Sequence, residues 1–77
     1  PPAARRLRQE GVVLIRFTMD RSGRVLTSRI ERGSGRPLLD REALAMLQRA
    51  QPLPPPPDDV PGSQLDVVAP IEFFLTQ

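Results

Sequence analysis

Leu65, Val67, Ala69, Ile71, Phe73 and Leu75 recur at every second position in the last apolar segment of the chain, with Pro70 in their midst. Alternation of this kind is the period of a strand with one buried face. Proline cannot donate a ladder hydrogen bond, so within a sheet it is confined to edges, strand starts and bulges. The segment is therefore predicted as an edge strand over 65–75, its inner face in the core and its outer backbone unpaired. An open edge is an aggregation hazard unless something is meant to pair with it. Partner capture by strand addition is the first functional reading.

The rest of the chain supplies a minimal sheet for that edge to belong to. Ala3 to Glu10 are strong helix formers behind a proline suited to a first turn, with Gly11 as a stop, and predict a short helix over 3–10. GVVLIRFTMD follows, apolar on both faces in its first half, and predicts a central strand over 12–20. Asp20-Arg21-Ser22-Gly23 is a turn signal leading back into a more polar strand over 24–32 with Val25, Leu26 and Ile30. After Gly33-Ser34-Gly35, Pro37 opens a helix over 37–49 in which Leu39, Ala43, Met46, Leu47 and Ala50 share one face. The proline run over 52–57 is expected to be an extended strut returning the chain to the sheet.

The strand–strand–helix–strand order fits a crossover that passes over the first strand. The expected fold is α+β: a small three-stranded antiparallel or mixed sheet of order 2-1-3, with two helices packed on one face. At 77 residues the chain is read as one domain over 1–77, near the lower size for a single core. A start at Pro1-Pro2 without methionine is read as a fragment of a longer protein, with any anchor or targeting segment upstream.

Catalysis finds little support. His, Cys, Tyr and Trp are absent, which removes the commonest bases, thiol nucleophiles and soft metal ligands. Asp58-Asp59 reads as a solvated turn, and the glycines lack the spacing and lysine of a phosphate loop. No enzyme activity, cofactor or metal is expected. Nucleic acid is disfavoured too. The net charge is only +2, the arginines are spread among acids, and Phe17 and Phe73 fall in the core-facing phase where they cannot stack bases. The outward phase, with Val12, Leu14, Val68 and Phe74, is expected to leave an apolar patch on the uncovered face.

Taken in order, the Ala/Arg-rich start, VVLIRFTMDRSGRV, ERGSGRPLLDREALAML, RAQPLPPP and VVAPIEFFL resemble the C-terminal domain of TonB energy transducers. The resemblance covers essentially the whole chain. The Tyr-Pro often found in the family is replaced by Pro1-Pro2, and that contact is not carried over.

The resemblance implies a periplasmic domain of an inner-membrane-anchored protein. It would bind TonB-dependent outer-membrane transporters and couple proton-motive force to uptake of siderophores, cobalamin or similar cargo. The transporter's TonB box would add as a strand to the last strand, which maps the contact onto Asp66, Val67, Val68, Ala69, Pro70, Ile71, Glu72 and Phe73. A motor pair of the ExbB–ExbD kind would engage the region upstream. A TolA-like envelope domain, with similar architecture and different partners, is the related alternative. A self-associating module, dimeric by strand exchange, is the alternative from another class.

Overall fold

The computed structural model of the chain describes residues 9–75. Its elements run β1 (Gly11–Asp20), β2 (Val25–Arg32), α1 (Pro37–Arg49) and β3 (Gln64–Phe73). The sheet order is β2-β1-β3, and β1 is antiparallel to both neighbours. The open question of an antiparallel or mixed sheet thus resolves to antiparallel pairing throughout. Most of the helix expected over 3–10 lies outside the described residues; Gln9 and Glu10 within them are not helical. The sheet is accompanied by one helix among the described residues, where two were expected.

β1 is central because it can be buried by neighbours on both edges and by a helix on one face. Val13, Ile15, Phe17 and Met19 point to that face and are buried. They meet Leu39, Ala43 and Leu47 of α1 and Phe73 of β3 in the core. Pro37 opens the helix, Asp40 lies in its first turn and Arg49 in its last, so both charges complement the helix dipole. Met46 and Leu44 are half-buried against the core. Ala50, expected on the buried face, is exposed, because it is already the C-cap residue beyond the last turn.

β3 pairs with β1 in one unbroken register from Gly11↔Phe73 to Asp20↔Gln64. The strand stops at Phe73, two residues short of its expected end. Phe73 faces Gly11, the first residue of β1; Gln9 and Glu10 before it are not strand, and the Leu75 N–H turns to the Glu10 side-chain oxygen at 3.4 Å in place of a ladder bond. Alternation of apolar residues can continue beyond a ladder; hydrogen bonding cannot.

The β1–β2 turn and the proline-rich connection are fastened to each other. Gly23 adopts a φ of +89°, and the Leu53 N–H donates to its carbonyl at 2.8 Å. The Arg21 guanidinium donates to the carbonyls of Val60, Gly62 and Pro57. The connection therefore has no secondary structure of its own, yet it is tied down just before β3 begins.

Candidate partner-binding edge

Two strands have an outer edge, and the two edges differ. In β2 the register against β1 shifts twice, leaving Glu31 and Leu26 as extra residues. Irregularities of this kind bend an edge and spoil it as a template. The Val25 N–H on β2 is also occupied, by the Gln51 side-chain oxygen at 2.7 Å. β3 has no register shift along its ten residues. Of the two, β3 is the regular edge, and among the described residues no third strand pairs with its outer side.

The direction of each backbone group on β3 follows from its parity. At the hairpin, the Asp20 N–H donates to the Arg24 carbonyl at 3.0 Å, so even-numbered residues of β1 aim their backbone groups toward β2. Odd-numbered residues of β1 must then bond to β3, and their partners Leu65, Val67, Ala69, Ile71 and Phe73 are odd as well. Gln64, Asp66, Val68, Pro70 and Glu72 are left to face the free edge. Pro70 lands in this outward set, where its missing N–H breaks no bond to β1. Two independent observations thus agree on the polarity of the edge.

The same parity sorts the side chains. Asp66, Val68, Pro70 and Glu72 are exposed, whereas Val67, Ala69 and Ile71 are half-buried and Phe73 is buried. The eight residues expected to make partner contact are therefore not equivalent. Half present side chain and backbone outward; the other half hold the strand to the core.

On the uncovered face, the outward residues of three strands stand in rows. Arg16 donates to Asp66 of β3 at 2.6 Å and to Glu31 of β2 at 3.1 Å, spanning the sheet from edge to edge. The Glu31 hydrogen bond first, and the Asp66 charge second, raise the Arg16 pKa above its ordinary value. Beside it, the Thr18 and Thr27 hydroxyls share a bond of 2.8 Å. Val68, directly opposite Arg16, is 43% exposed, and toward the other end of the sheet Val12 is 49% and Phe74 66% exposed. These are the patch residues expected from the outward phase, although Leu14 is half-buried.

Sequence reasoning missed the Arg16 clamp and the Arg21 fastening. The first had a signal, since Arg16 is the one cation in the outward phase of an otherwise largely apolar strand. The second had none, because the carbonyls that Arg21 binds lie 36 to 41 residues away. No helix among the described residues is long and apolar enough to cross a membrane.

Comparison with known proteins adds a family to this geometry. Residues 1–75 match the model of the Gram-negative bacterial TonB protein C-terminal family. The chain is 38% identical over 76 residues to Protein TonB of Pseudomonas putida, covering 97% of this chain and 31% of that protein. It is 36% identical over 76 residues to Protein TonB of Pasteurella multocida, covering 99% of this chain and 28% of that protein. It thus spans about a third of the length of these relatives. No solved structure matches it.

Proposed function

The chain belongs to the Gram-negative bacterial TonB C-terminal family, and from that premise we propose that it is the transporter-facing part of a periplasmic energy transducer. It captures the TonB box of an outer-membrane transporter as a fourth strand on β3, along Asp66 to Phe73. The observation that supports this reading best is the contrast between the two sheet edges. β2 is irregular and partly occupied, while β3 is continuous, outward-facing and interrupted only by Pro70.

Backbone N–H and C=O groups supply most of the pairing in strand addition, so the captured segment need not follow a strict sequence. The mode also suits a pulling device. Force along an added strand loads its ladder bonds together rather than one after another. Arg16 then links β3 to β2 across the central strand, which spreads the load over the sheet. In the full-length protein, a motor pair of the ExbB–ExbD kind would act through a region outside this chain, and siderophores or cobalamin would be the cargo.

The test is a titration of the isotope-labelled chain with a synthetic TonB-box peptide, read on backbone amides with the oligomeric state recorded. Saturable shifts confined to Asp66–Phe73 and its neighbours are expected. Unperturbed β3 amides in a folded monomer would contradict the reading, as would a β3 already protected in a dimer and indifferent to peptide.

A further inference from the structure

The outward residues of β3 form a graded series along the edge. After exposed Gln64, the Asp66 carboxylate is countered by Arg16 at 2.6 Å. Val68 and Pro70 come next, both exposed, with half-buried Leu14 opposite Pro70 in the row behind. Glu72 closes the series, exposed, with exposed Val12 opposite it. Among the described residues no cation is paired with Glu72. From the β3 N-terminal end, the edge reads neutral polar, countered charge, apolar, apolar, negative.

A strand added to β3 would lay every second side chain on the uncovered face, directly beside this series. Cross-strand neighbours at that spacing favour apolar pairs and opposite charges and disfavour like charges. Resting on the capture reading above, we propose that β3 selects extended segments with apolar side chains beside Val68 and Pro70 and a basic side chain beside Glu72. Charge at that position also sets direction. A segment with its basic residue C-terminal to the apolar pair runs parallel to β3, and one with it N-terminal runs antiparallel. An acidic residue is repelled next to Glu72 and tolerated next to Asp66, where Arg16 offsets the carboxylate. Pro70 contributes no donor, so side-chain contact carries more of the discrimination in that half of the edge.

The experiment uses three peptides of alternating threonine and valine that differ only in a C-terminal lysine, threonine or glutamate. Each is titrated at low ionic strength into the labelled chain and into Glu72→Gln, an exposed substitution whose spectrum reports whether the fold is kept. The lysine peptide is expected to bind the native chain about two- to fivefold more tightly than the glutamate peptide. That ratio should fall toward one in Glu72→Gln and shrink in high salt. Equal affinities for the native chain, or a preference that survives Glu72→Gln, would overturn the charge selection while leaving strand capture standing. Failure of all three peptides to shift any β3 amide would overturn strand capture and the selection with it.

Discussion

At Gly23 a methyl group would sit 1.9 Å from the Leu53 carbonyl oxygen, in a backbone with φ +89°. Gly35 has a similar φ of +84° but nothing within 4 Å of the same position. Left-handed backbone alone costs an alanine about 1–2 kcal/mol, and forced contact about 1–3 kcal/mol more. Gly35→Ala should therefore cost about 1–2 kcal/mol and Gly23→Ala about 2–5 kcal/mol in urea unfolding. Asp20 gives a pH signature to the same turn. Its carboxylate accepts the Ser22 hydroxyl at 2.6 Å and the Arg24 N–H at 3.1 Å, the two largest causes of its lowered pKa. A lowered folded pKa means that the contribution is complete above the unfolded value, near pH ~4, and is lost as pH falls through the folded one. Asp20→Asn should flatten the loss of stability below pH ~4, measured as the urea midpoint against pH. The turn itself was legible from Asp-Arg-Ser-Gly, because turn chemistry is local. What that turn fastens was not, because the Leu53 contact exists only once the chain has returned.

Element by element, β3 yields the sharpest contrast. Val67 and Val68 are chain neighbours of one type, yet they differ in where their N–H groups point. Val68→Pro should leave the β1 ladder intact and remove an outward donor, lowering affinity for a TonB-box peptide at nearly unchanged stability. Val67→Pro removes a bond to β1 and should unfold the chain or cost about 3 kcal/mol or more. Circular dichroism with peptide titration separates the two. Strand order was readable because Pro70 marks an edge and the doubly apolar half of β1 marks a centre. The end of β3 was not, since it depends on where β1 begins rather than on its own pattern. The two irregularities of β2 also escaped, because alternation in a polar strand is too weak to show an extra residue.

Across the whole molecule, one small core holds both the sheet and the edge in place. Val13, Ile15, Phe17, Met19, Leu39, Ala43, Leu47 and Phe73 are its buried members. Ile15 is fully buried, and Ile15→Ala should cost about 2–5 kcal/mol. A domain of this size has only a few kcal/mol to spare, so that variant should be largely unfolded at 37 °C by calorimetry. The alternation of β3 was legible as a block because the inward and outward phases were both visible in the sequence. The division of its residues into outward and inward donors needed the hairpin bond at Asp20 and the register of β1 against β3. Hydrogen exchange resolves that division amide by amide and tests strand capture most directly. With a TonB-box peptide bound, Asp66, Val68 and Glu72 amides should slow in exchange, while Val67, Ala69, Ile71 and Phe73, already bonded to β1, gain little. Slowing of the odd-numbered amides alone, or of α1 in place of β3, would contradict the account.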